Sequence, residues 1–123
     1  MELVERRLVA AASGPPGTLG AACTATLRAG GKRVRPLLTL LSARADRELR
    51  EPVLRAAAGT ELLHMATLVH DDVLDRADLR RGRPTVAREF GVDIAISTGN
   101  YLLARAFSEL AGTGDGEAVA ELS

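Results

Sequence analysis

The chain has 123 residues, with 16 basic and 16 acidic side chains and a formal net charge of zero. That length fits one domain, and the charge balance removes whole-chain attraction to nucleic acid or to an anionic membrane. Apolar residues at 46% and charged residues at 26% exclude a disordered chain. Aromatic residues are only 2%, namely Phe90, Tyr101 and Phe107. They offer no platform for stacking bases and disfavour a sandwich or barrel. The abundance of alanine and leucine predicts packed helices, an all-α fold. One cysteine, Cys23, rules out a disulfide framework and a cysteine-based zinc site, and reads as a reducing, cytoplasmic setting. No stretch reaches the roughly 20 apolar residues of a membrane span. The opening Met1 to Arg7 lacks the basic-then-apolar order of a signal peptide.

In chain order, a first helix is predicted over 2–12, ended by Ser13-Gly14-Pro15-Pro16-Gly17. Thr18 suits the N-cap of a second helix reaching about Ala29, where Gly30-Gly31 stops it. Pro36 fits the first turn of a third helix to about Ala45. Residues 51–76 hold the longest periodic segment, apolar on nearly every side around 62–69, which predicts a buried central helix needing neighbours all round. Four or five helices are too few for that, so exposed apolar patches are expected. Residues 77–84 read as a loop, Phe90-Gly91 as a short break and 92–111 as a further helix. Another helix is predicted to start at 117, after a glycine-rich turn.

The chemistry concentrates in Asp71-Asp72-Val73-Leu74-Asp75, at the end of the apolar run. Asp71 and Asp75 stand at i and i+4, on one helix face. Their mutual repulsion is relieved by a divalent cation, and Mg²⁺ is typically held by one or two carboxylates together with substrate phosphates. Asp72 lies off that face and suits a supporting role. The bland alternative is a solvated acidic turn that includes Asp78, salt-bridged to Arg76 or Arg81. Gly30-Gly31-Lys32-Arg33-Val34-Arg35-Pro36 places a basic cluster at a helix start, where free backbone N–H groups favour anions. Arg80-Arg81-Gly82-Arg83-Pro84-Thr85 is a second basic cluster, and arginine suits forked recognition of phosphate. Each cluster alone reads equally as a solvated helix end or charged loop. Together, flanking a carboxylate site, they describe a diphosphate gripped from two sides. His64, two turns before Asp71 on the same face, is placed to donate to a phosphate or else to be satisfied within the core. His70 borders Asp71 and is read as orienting it. Cys23 reads as a small buried apolar residue. Ser42, Ser97 and Ser108 have no base at triad spacing.

These blocks resemble the trans-isoprenyl diphosphate synthases, the polyprenyl synthetase family. The resemblance rests on Gly30 to Pro36, on Glu61-Leu62-Leu63-His64-Met65-Ala66-Thr67-Leu68-Val69-His70 running into the aspartates, and on Arg80 to Thr85, in that order and spacing. Phe90-Gly91 and Leu102-Leu103-Ala104 continue it. The resemblance implies an antiparallel helical bundle of the isoprenoid synthase type. It implies that residues 1–123 correspond to the N-terminal part of such a domain, with the C-terminal part absent. The implied reaction is Mg²⁺-assisted ionisation of an allylic diphosphate, followed by attack of isopentenyl diphosphate and loss of a proton. Asp71 and Asp75 would hold Mg²⁺, with Asp72 assisting. Arg80 would hold the allylic diphosphate, and Lys32, Arg35, His64 and Arg81 isopentenyl diphosphate. Bulky residues four and five positions before the first aspartate limit chain length in this family. Here those are Thr67 and Ala66, both small, which points to a medium to long product. Asn100 stands where the family usually has aspartate. The family's second aspartate-rich motif falls outside the sequence. A non-catalytic partner subunit and an inactive truncated remnant are therefore alternatives to an enzyme, with a homodimer or a complementary chain as the expected assembly.

Overall fold

The computed structural model describes residues 2–29, 31, 33 and 50–113. Periodic apolar positions produce four long helices: α1 (Glu2–Ser13), α2 (Gly17–Arg28), α3 (Arg50–Leu74) and α5 (Val92–Ala111). A minimal hairpin of β1 (Leu79–Arg80) and β2 (Arg83–Pro84), followed by the single-turn α4 (Val86–Phe90), links α3 to α5. The predicted helix over 36–45 and the one starting at 117 lie outside the described residues.

The principal packing is α3 against α5. Gly59 of α3 lies against Ala106 and Leu110, and His70 lies against Ile96 and Gly99, so the two helices run antiparallel. Gly99 sets the approach at one end, because a Cβ there would overlap the His70 ring. The core joins Val4 and Leu8 of α1, Cys23 and Leu27 of α2, Leu62 and Met65 of α3, and Leu102 and Ala106 of α5. Tyr101 fastens α5 to α1 by donating from its hydroxyl to the Ala11 carbonyl at 3.0 Å. A second tie gathers Arg7, Arg55 and Arg105 around buried Glu109, with Arg7 Nη2 at 2.8 Å from the carboxylate.

Two local expectations need correction. Thr18 is not the N-cap of α2. Pro16 holds that position without a side-chain cap, and Gly17, at φ +64°, turns the chain into the helix sooner. The 77–84 stretch is not simply a loop. Leu79 pairs with Pro84 and Arg80 with Arg83, leaving Arg81-Gly82 as the turn. Both turn residues have positive φ, +53° and +76°, as a type I′ hairpin requires. Buried Thr85 closes the hairpin's base: its N–H donates to the Asp78 carbonyl and its hydroxyl to that of Ala77. The same hydroxyl caps α4 by accepting from the Arg88 N–H.

Candidate diphosphate site

A cleft of about 1260 Å³ opens between α2, α3, the hairpin and α4. The α3 side is a stripe at helical spacing: Glu61, His64, Met65, Leu68 and Asp72. Arg80, Arg81 and Arg83 of the hairpin, with Arg28 and Arg33, make the basic part of its wall, beside Gly31.

Asp72 is buried and holds Arg80 in a fork: Arg80 Nε donates to Oδ1 at 2.9 Å and Oδ2 at 3.0 Å, and Nη2 donates to Oδ1 at 2.7 Å. This hydrogen bonding pushes the Arg80 pKa above its ordinary value. Burial opposes the shift, while the charges of Asp72, Asp71 and Asp75 add to it. Arg80 is therefore a fixed positive charge. Its position depends on α3 ending where it does. The Ala77 N–H donates to the Asp72 carbonyl and the Arg76 N–H to that of Val73, with Arg76 at φ +53°, the pattern of a Schellman stop. That stop turns the chain back so that Arg80 meets the acid eight residues before it.

Arg81 brings the two basic sequence blocks together. The Nη1–Nη2 edge of its guanidinium points at Gly31, so close that a Cβ on Gly31 would sit 2.6 Å from Nη1 and 3.1 Å from Nη2, with Cζ behind them at 3.3 Å. A Cβ there would make the exposed end of Arg81 shift away from the Gly31 backbone. Lys32 and Arg35 lie outside the described residues. His64 is half-buried on the cleft wall. His70 faces the other way, its Nε2 3.4 Å from the Ile96 carbonyl, and so serves the α3–α5 contact.

Asp71 and Asp75 are exposed and are not among the described residues lining the cleft. They stand one turn apart, the Asp75 N–H donating to the Asp71 carbonyl at 2.8 Å. Thr67, one turn before Asp71, is exposed on the same face, and its hydroxyl donates to the His64 carbonyl at 2.7 Å. Ala66 is buried in the core. Neither chain-length candidate lines the cleft. As to metal, the donor chemistry of Asp71 and Asp75 fits a hard divalent cation that keeps water or phosphate ligands as well. No cluster of three or more His, Cys, Asp or Glu is placed to hold an ion among the described residues. Asp72 is committed to Arg80.

Arg33 and Glu61, given no individual role in the sequence reading, pair with one another at 3.2 Å. The available signal was Glu61 itself, a carboxylate at the start of a run that is otherwise apolar.

The sequence matches the polyprenyl synthetase family over residues 16–123. The chain belongs to that family. The chain is 46% identical over 112 residues to heptaprenyl diphosphate synthase component 2 of Geobacillus stearothermophilus, covering 91% of the chain and 35% of that relative. Its fold matches the crystal structure of heptaprenyl diphosphate synthase from Staphylococcus aureus with a TM-score of 0.91 at 39% identity, over 98% of the chain and 39% of that structure. It matches geranyltranstransferase from Thermotoga maritima with a TM-score of 0.86 at 35% identity, over 98% of the chain and 46% of that structure. The fold is thus the all-α isoprenoid synthase type, and the chain spans about a third of the length of the curated relative. Among the described residues no helix is long and apolar enough to cross a membrane.

Proposed function

We propose that this chain carries the diphosphate-gripping part of a prenyltransferase that condenses isopentenyl diphosphate with an allylic diphosphate. The observation that carries the reading is the seating of Arg81 on Gly31 beside the Asp72–Arg80 fork. Three guanidinium groups from one hairpin wall a cleft whose α3 side carries His64 and apolar Met65 and Leu68. That combination suits a ligand with an anionic head and a hydrocarbon tail.

In this proposal Arg80, oriented by Asp72, stabilises the negative charge that develops as the allylic C–O bond breaks and diphosphate leaves. Arg81, with Lys32 and Arg35 from the neighbouring sequence block, holds isopentenyl diphosphate, and His64 donates a hydrogen bond to it. The isopentenyl double bond forms the new C–C bond to the allylic cation, and a proton is lost. The product is an allylic diphosphate five carbons longer. Mg²⁺, held by Asp71 and Asp75, would supply further positive charge to the leaving group.

The exposure of Asp71 and Asp75 outside the cleft favours a second reading. There the chain is a partner subunit whose site is completed by a complementary chain. An incorporation assay with labelled isopentenyl diphosphate, geranyl diphosphate and Mg²⁺ separates the two. Turnover by the chain alone, abolished in Arg80→Met and Asp71→Asn, supports the enzyme. Calorimetric binding of isopentenyl diphosphate without turnover supports the subunit. A chain that neither binds nor turns over is the inactive remnant, and the proposal fails.

A further inference from the structure

We propose that Arg33, though it sits in the basic cluster, binds no diphosphate and is instead the positioning residue that holds its own backbone, and Gly31 two residues before it, against the helices. Its guanidinium is spent inside the protein. Nε donates to Glu5 of α1 at 2.7 Å, Nη1 to Glu61 of α3 at 3.2 Å, and Nη2 to the Leu27 carbonyl of α2 at 3.1 Å. One side chain thus ties three helices. It is 11% exposed and that of Glu61 only 5%. The Arg33 backbone stands at φ +55°, a conformation that residues with a Cβ seldom adopt and that these bonds hold in place.

The chemistry separates Arg33 from the other arginines of the cleft. Arg81 is exposed and rests on Gly31, whereas Arg33 faces two carboxylates, which oppose any anion approaching it. A buried Glu61 with its partner removed would be left as an uncompensated charge, so the pair must be kept together. Gly31 is two residues before Arg33, and the edge of the Arg81 guanidinium rests against it. Arg33 therefore acts on the ligand through Gly31 and Arg81. This role rests on the reading of the cleft as a diphosphate site.

The test titrates isopentenyl diphosphate and inorganic pyrophosphate into the full chain by calorimetry and follows amide hydrogen exchange at Gly31 and Arg33. Arg33→Met is expected to weaken both ligands about tenfold, the usual scale for losing an outer-shell partner, and to speed exchange at both amides. Glu61→Gln should do the same more weakly, and it carries the test if Arg33→Met does not melt cooperatively. Arg81→Met should weaken binding and leave exchange at Arg33 unchanged. Unaltered affinity in Arg33→Met, or weakened affinity with unaltered exchange, overturns the proposal, the second because Arg33 would then touch the ligand itself. A wild-type chain that binds neither probe overturns the diphosphate reading and the positioning role with it. That failure is distinct from failure of the lock, which exchange in the variants reads independently.

Discussion

Asp72 and Arg80 form a pair in which one partner is buried and the other half in solvent. Solvent screens the Arg80 end, so the hydrogen bonds rather than the bare charges carry the stabilisation. Asp72→Asn is expected to cost about 1–2 kcal/mol in a urea melt, the scale of a charged hydrogen bond lost. Adding Arg80→Met to that variant should cost less than the two changes do singly, because they remove one shared interaction. Full additivity would mean that the fork contributes nothing. Cys23 gives a second prediction. Burial pushes its thiol pKa up from 9.0 to about 11. The folded state therefore keeps the proton where the unfolded chain loses it. Stability present below pH 9 is lost progressively as pH rises toward about 11. A melting midpoint that falls over this window in the wild type, and falls less in Cys23→Ala, is the expected result. Identical slopes would place the thiol in contact with water.

At the level of elements, the long helices were legible because their apolar residues recur at helical spacing and their ends carry glycine and proline. α5 runs Val92–Ala111, as its pattern predicts, and Gly91 at φ +95° marks the break before it. The hairpin was not legible. Each strand has two residues, too short for alternation, and Arg81-Gly82 is not the Asn-Gly or Asp-Gly pair that usually announces such a turn. What fixes it is tertiary, namely Thr85 on Ala77 and Asp78, and Arg80 on Asp72. The three aspartates were legible as a group, but the fork of Asp72 with Arg80 was not read from the sequence. The cleft-facing stripe through Asp72 was not legible, because spacing along α3 says which residues share a face without saying which face the hairpin covers. The hairpin also carries a cost with a use. Arg81 at φ +53° is held by the turn where glycine is preferred, and the edge of its guanidinium meets Gly31. Arg81→Gly should raise stability by about 1 kcal/mol, the typical penalty relieved in that conformation, while weakening pyrophosphate binding in the same preparation. A variant that loses both stability and binding would show that the guanidinium holds the fold together rather than the ligand.

For the molecule as a whole, the question is what covers α3, whose composition asks for neighbours all round. α1, α2 and α5 bury Ala57, Ala58, Leu62, Met65 and Ala66. The opposite face, through Thr67, Asp71, Leu74 and Asp75, is exposed. Because α3 and α5 are antiparallel, the C-terminal end of one and the N-terminal end of the other lie together, and both carry exposed apolar side chains: Leu74 at 79% and Ile96 at 42%, with Val92 nearby in sequence. Scattered exposed apolar residues are ordinary, but a group beside an uncovered helix face promotes association. Burying one such side chain fully is worth about 1.5–3 kcal/mol. The chain by itself is therefore expected to self-associate in a concentration-dependent way in sedimentation velocity and to enhance the fluorescence of a hydrophobic dye. Leu74→Glu combined with Ile96→Lys should weaken that association at least roughly tenfold, since 1.4 kcal/mol already amounts to a decade. The variant should keep its melting midpoint, because neither side chain is in the core. A wild-type chain that stays a monodisperse monomer on concentration, with no dye enhancement, would mean that this face is satisfied by water.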